Sequence, residues 1–348
     1  MLSEKEVIKG IENFDKKYDE IVLYFAKDQG DKIYIGEDSK CCRFCIRENL
    51  KFENESHAIS RFFGNDQLIL LNECDDCNAE FGKKLEPHID AFTKPFRTVS
   101  FISGRNGIVK TQDKKQKSSL SVKDGIQKVL NSPDSDFCKL DTETNEITYN
   151  FDIGGHIPSA VYKSLIKYGL SCLPSKYLGD HIQLLYWISQ KDVYKPFFHP
   201  LIAMKTFIAG QNPLNGKVLA GLYNKKKGVD EKYISRYFLF GFGNFLYQIP
   251  LFTDTEIKKI SDSTQNGVGQ ESLNMSRFFP PYSVKELYGL ADFTQYSTED
   301  FSSCHFINDK KEKLVCGGES KQIALSDLEE VHNKSGRLID VNLKIPSQ

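Results

Sequence analysis

No run of apolar residues in this 348-residue chain reaches the ~20 needed to cross a bilayer. The opening stretch, MLSEKEVIKGIENFDKKYDE, alternates acids and bases where a secretory leader would carry an apolar core. The expectation is a cytoplasmic protein with no membrane partner. A large excess of positive charge is also missing: 46 Lys and Arg stand against 47 Asp and Glu, for a net charge of −1. Nucleic-acid-binding domains are often strongly basic, so only a local patch can serve such a partner here. There is no low-complexity tract and no repeat at solenoid spacing. A hydrophobic content of 40% with 27% charged residues describes a globular protein.

What is present divides unevenly. The length suits about two domains. Residues 3–18 carry a helical apolar spacing (Val7, Ile8, Ile11, Phe14), and EIVLYF and DKIYIG read as short strands. The stretch RNGIVKTQDKKQK sets five bases, Arg105, Lys110, Lys114, Lys115 and Lys117, against the single acid Asp113. Gln112 to Ser121, polar and aperiodic, reads as a linker, which places domains at 1–120 and 121–348.

The second region has helical spacing from Pro158 to Pro174, a second apolar helix at about Tyr177 to Ile188, and GKVLAGLYN with YISRYFLFGFGNFLYQIPLF as a strand hairpin around KKKGVDEK. It is α+β and holds no catalytic constellation, since His156, His181 and His199 are isolated. Dimerisation, or sensing an activating ligand or partner protein, is the role such a region suits.

Five of the nine cysteines lie between Cys41 and Cys77. Clustered cysteines in a reducing compartment suggest metal binding more than disulfides. Cys42-Arg-Phe-Cys45 and Cys74-Asp-Asp-Cys77 are two CxxC knuckles, able to close the four-coordinate shell of a structural Zn2+ at Zn–S ~2.3 Å. Cys41 is then a neighbouring free thiol. Such a shell has no open position, so any chemistry comes from what the metal holds in place. Cys138, Cys172, Cys304 and Cys316 are scattered, and Cys172 reads as a small buried thiol in a helix.

Between the knuckles, FENESHAI reads as extended, Gly64-Asn65 as a turn and QLILL as a returning strand; the second knuckle then opens a helix through Phe81 and Leu85. The pattern CRFC…NESHAIS…GN…ECDDCN…FG…LE resembles the HNH endonucleases, the ββα-metal nucleases, in the branch pinned by a four-cysteine zinc. The resemblance covers about Lys40 to Gly107. It implies a treble-clef-like nuclease fold and metal-dependent hydrolysis of phosphodiester bonds. His57 would be the general base, and Asn78 a ligand of a catalytic Mg2+ or Mn2+. A central Asn steadies the loop in that family, a role for which Asn72 and Asn65 compete.

The family's usual Asp before the histidine is here Ser56, a poor ligand for a hard dication. Glu55, on the strand face of His57, and Glu86, before the helix-breaking Pro87, are the carboxylates that could compensate. Arg97, Lys94 and the bases from Arg105 to Lys117 would contact flanking phosphates.

The resulting expectation is an α+β chain with an HNH nuclease domain acting on DNA, with RNA an open alternative. A homodimer would serve to cut both strands, and restriction or anti-phage defence is the setting such architectures imply. The rival is a non-catalytic zinc module that binds nucleic acid or protein.

Overall fold

The computed structural model describes residues 12–39, 41–141, 146–190, 193, 201–208 and 213–265, and beyond these the backbone of strands 288–292, 311–316, 328–332 and 339–343. Of the helix expected over 3–18, residues 12–15 are helical, while those up to 11 lie outside the described residues, as do His199 and Cys304.

EIVLYF lies within β1 (Tyr18–Ala26) and DKIYIG supplies β2 (Ile33–Ile35). Around the cysteines come β3 (Ser56–His57), a 3-10 turn (Arg61–Phe63), β4 (Leu68–Leu70), α1 (Asp75–Lys84) and α2 (Glu86–Val99). β4 is central in a three-stranded sheet, parallel to β2 and antiparallel to β3. Pro87 sits in the first turn of α2, where its missing N–H costs nothing, so the chain breaks at Leu85 and starts a new helix.

Short strands follow: β5 (Ser103–Gly104), β6 (Gly107–Ile108), β7 (Thr111–Gln112), β8 (Ser119–Lys123) and β9 (Ile126–Asn131). The stretch read as a linker is thus the β7–β8 hairpin. The Asp113 carboxylate accepts from the Lys117 N–H at 2.8 Å, and Ser118, Ser119 and Leu120 are buried. Its polar composition reflects a turn, with Leu120 as the apolar anchor.

β10 (Cys138–Asp141) and β11 (Glu146–Asp152) lead to α3 (Pro158–Cys172). The second expected helix is 3-10 from Ser175 to His181, where Gly179 and Asp180 are poor helix formers, and becomes α4 only over Ile182–Ser189. Then come β12 (Ile202–Phe207), β13 (Val218–Lys225), β14 (Arg236–Phe242), β15 (Phe245–Pro250) and α5 (Asp254–Gln265). The aromatic stretch expected to be one strand is therefore two. Gly243, at φ +53°, and Asn244 turn the chain between Phe242 and Phe245, which face each other across the hairpin.

The largest sheet is antiparallel, in the order β1-β13-β14-β15-β12 with residues 288–292 at its far edge. β1 runs alongside β13 from Tyr18 opposite Lys225 to Ala26 opposite Val218, so the expected division at residue 120 runs through one sheet. Every residue of β14 and β15 is buried, which explains their near-continuous apolar sequence.

α3 lies between this sheet and the cysteine-bearing unit and is buried along all of its residues. Gly169 permits the close approach: a Cβ there would stand 3.0 Å from Leu251 Cδ2 and 3.1 Å from Phe238 Cβ. From the cysteine-bearing unit, Phe63 sets its ring 4.9 Å from Phe240 and 4.8 Å from Phe242, and Phe96 lies 4.8 Å from Phe245. One aromatic core thus serves both halves of the sequence. Phe63→Ala should therefore destabilise the whole chain by about 3–5 kcal/mol, the cost of emptying a fully buried phenylalanine site. Denaturant unfolding tests this; a loss under 1 kcal/mol would mean the two halves do not share a core.

Candidate functional site

The two knuckles meet. The sulfurs of Cys42, Cys45, Cys74 and Cys77 all lie within 4.8 Å of one another, the sole such cluster of metal-ligating groups among the described residues. Tetrahedral zinc with Zn–S ~2.3 Å has sulfurs about 3.8 Å apart, and Cys45 and Cys74 already stand at 3.9 Å. Backbone N–H groups point at the sulfurs: Cys74 N–H to Cys42 Sγ at 3.4 Å and Cys77 N–H to Cys74 Sγ at 3.5 Å. Donors aimed at sulfur favour thiolate. The Cys42 thiol is held well below its ordinary range, chiefly by its hydrogen bond with the Cys77 side chain, which drives Cys77 upward in turn. Cys41 stays outside the cluster, and burial raises its thiol. The donor set fits a structural zinc.

The first knuckle also clamps α3. Arg43 is buried; its Nε donates to Asn72 Oδ1 at 2.8 Å, and its Nη1 donates to the carbonyls of Leu170 and Ser171 at 2.8 Å and Leu173 at 3.2 Å. These are carbonyls at the helix C-terminus, where a cation is favoured. From the helix, Lys167 reaches back to Glu73 Oε2 at 2.9 Å and to the His57 carbonyl at 3.3 Å. Glu73 adjoins the ligand Cys74, and burial raises its carboxyl while Lys167 opposes that rise.

His57 stands on β3 opposite Ile69, its side chain 11% exposed. Its Nε2 is 3.5 Å from Asp66 Oδ1 and 3.7 Å from Glu55 Oε1. Asp66 is also held by Arg61 Nη2 at 2.6 Å and by Lys32 Nζ at 3.1 Å. Burial, then the nearby Arg61 charge, pushes the His57 pKa below its ordinary 6.5, against the opposing pull of Glu55. Burial thus favours the neutral ring.

The other residues singled out in the sequence are distributed differently. Asn72 is engaged by Arg43, away from the histidine loop. The loop is braced by Asn65, which donates to the Ile59 carbonyl at 2.6 Å and accepts from the N–H groups of Gln67 and Leu68 at 3.2 and 3.0 Å. Arg97 cannot reach solvent phosphate. It is 1% exposed, pairs with Asp90, donates to the Phe62 carbonyl at 3.1 Å and lies over the Phe62 ring. Lys94, Arg105, Lys110, Lys114, Lys115 and Lys117 are exposed, Arg105 in the β5–β6 turn, Lys110 between β6 and β7, and the last three in the β7–β8 turn.

Asn78 and Glu86 line a small cleft with Phe81, Leu85, Lys167 and Tyr168, whereas His57 is not part of its lining. Glu86 accepts from the Ser60 hydroxyl, which also shares a hydrogen bond with Tyr168. Glu55 is paired with Lys32 at 3.1 Å. The expected ligands of a catalytic dication therefore do not converge. As assembled, these residues do not fit a Mg2+ or Mn2+ site.

Asp66, Arg61, Lys32, Arg43, Glu73 and Lys167 were not singled out in the sequence. One signal was legible: Lys163 and Lys167, four apart on an otherwise apolar helix, mark a face that must find electronic partners. No helix among the described residues is long and apolar enough to cross a membrane. Comparison with known proteins finds no matching family model, no similar curated protein and no similar solved structure.

The donor set leads to one expectation. Metal analysis of the reduced protein should find one zinc per chain, and Cys74→Ser should lose both the zinc and cooperative unfolding, because metal binding and folding are coupled in such units. Absence of zinc from protein prepared without chelator would contradict the assignment.

Proposed function

We propose that this chain is a phosphodiester hydrolase of the HNH endonuclease kind acting on DNA, with His57 as general base. The observation that carries the reading is a largely buried histidine, set among charged partners, on the strand that pairs with β4 inside a unit closed by four cysteines. A neutral imidazole can take a proton from water as that water attacks phosphorus; the P–O bond to the leaving sugar oxygen breaks, and the leaving oxygen is protonated from solvent. The exposed bases from Arg105 to Lys117 supply affinity through phosphate contacts without reading sequence. Zinc in the four-cysteine site would hold the unit together. No step is assigned to a second metal, because the candidate ligands are engaged elsewhere.

One observation favours the rival, a non-catalytic zinc module that binds nucleic acid or protein. Ser56, standing where the family carries Asp, is buried and donates to the Glu73 carbonyl at 3.5 Å, so it is a packing residue.

Plasmid, linear and single-stranded DNA incubated with the protein, with and without Mg2+ or Mn2+, separate the two. Cleavage should fall by at least about 10²-fold in His57→Ala with zinc content unchanged. Because the His57 pKa lies below 6.5 and the neutral ring is the active form, the rate should rise with pH and reach its plateau below that of an ordinary histidine. DNA binding without cleavage, unaffected by His57→Ala, would establish the binding module instead.

A further inference from the structure

A phosphodiester carries a negative charge that any attacking water must approach, so the histidine needs a cation close by. Arg97 is buried and paired with Asp90, and the bases from Arg105 to Lys117 follow α2 in the chain. Lys167 reaches the His57 carbonyl but is paired with the buried Glu73, so the cations that act on the His57 ring are Lys32 and Arg61.

The two differ in what they have left to give. An ammonium has three N–H donors, and Lys32 Nζ faces three acceptors: Glu55 Oε1 at 3.1 Å, Asp66 Oδ2 at 3.1 Å and the Asp66 carbonyl at 2.6 Å. Its capacity is spent within the fold. A guanidinium has five donors in a planar fork. Arg61 makes a single contact, Nη2 to Asp66 Oδ1 at 2.6 Å, and its side chain is 44% exposed. The same Asp66 oxygen is 3.5 Å from His57 Nε2. One carboxylate oxygen thus stands between a largely unused guanidinium and the histidine, in ion-pair contact with Arg61 and without a hydrogen bond to His57 Nε2.

The anchor is rigid. The Asp66 N–H donates to the Lys27 carbonyl at 3.0 Å, and Asn65 braces the same loop. Arg61 opens the 3-10 turn whose third residue, Phe63, is fixed in the aromatic core.

We infer that Arg61 is the residue that binds the scissile phosphodiester beside His57, with Asp66 as the positioning residue that holds its guanidinium there. The inference rests on the nuclease reading above and names the anion-binding group of that site. A guanidinium fork suits two phosphate oxygens at once, which an ammonium cannot match. Lys32, Arg61, Asp66 and Glu55 sum to zero charge around a neutral His57, so the site has no surplus attraction of its own. Arg61 should therefore act on turnover more than on affinity.

The test pairs kinetics with a signal that needs no turnover. The His57 ring resonance is followed by NMR as a dithymidine phosphodiester is added to the full-length protein, to Arg61→Gln and to Arg61→Lys, each checked for zinc content and thermal unfolding. In parallel, cleavage of a DNA substrate gives kcat and KM. The expected result is a His57 shift in the parent protein that Arg61→Gln abolishes and Arg61→Lys restores in part. With it, kcat should fall by about 10²-fold in Arg61→Gln while KM changes much less. A parent protein that cleaves, with the shift and kcat intact in Arg61→Gln, overturns the assignment of Arg61 alone. A parent protein that neither cleaves nor shows the shift overturns the nuclease reading and this inference together.

Discussion

Four cysteine sulfurs drawn to one point are the constraint on which the rest of the structure depends. They bring the loop after β2 against the start of α1, two segments with almost thirty residues between them. Between those pinned ends the chain has room for β3, one 3-10 turn and β4, and so His57, Arg61 and Asp66 converge on one side. A unit this small has little core of its own. It adds to the sulfurs the burial of Phe63 and Phe96 against the large sheet.

The contact between that unit and α3 is electrostatic as well as apolar. Arg43 caps the C-terminus of α3, and Lys167 returns a charge from the helix to Glu73 and the His57 carbonyl. Breaking a buried pair of this kind by removing one partner costs about 3–5 kcal/mol, since the other charge is left in a low-dielectric interior. Buried charges therefore fix how the cysteine-bearing unit sits on the helix. The position of β3, and with it the histidine, depends on a helix far along the chain.

Much of the cysteine-bearing unit was legible in the sequence because its signals are local. CxxC spacing identified the sulfurs, alternation and short apolar runs identified β1, β2 and β4, and Pro87 marked the break between α1 and α2. What escaped depends on contacts made at a distance. The YISRYFLFGFGNFLYQIPLF stretch reads as one strand until Gly243 turns it back on itself, because strands buried on both faces carry no alternation to mark the turn. Arg97 reads as a phosphate contact, yet Asp90 two turns earlier and the Phe62 ring beside it make it a core residue. Asp66 lies in a polar turn, where nothing local distinguishes a carboxylate facing a histidine from one facing water.

The central claim is that water, activated by His57, attacks phosphorus. Running the reaction to partial completion in water enriched in 18O and weighing the products tests it most directly. The account predicts that each new phosphate end carries a single 18O when the parent protein acts, and that labelled ends vanish with His57→Ala. Cleavage products without the label, or labelled ends formed equally by His57→Ala, would contradict it.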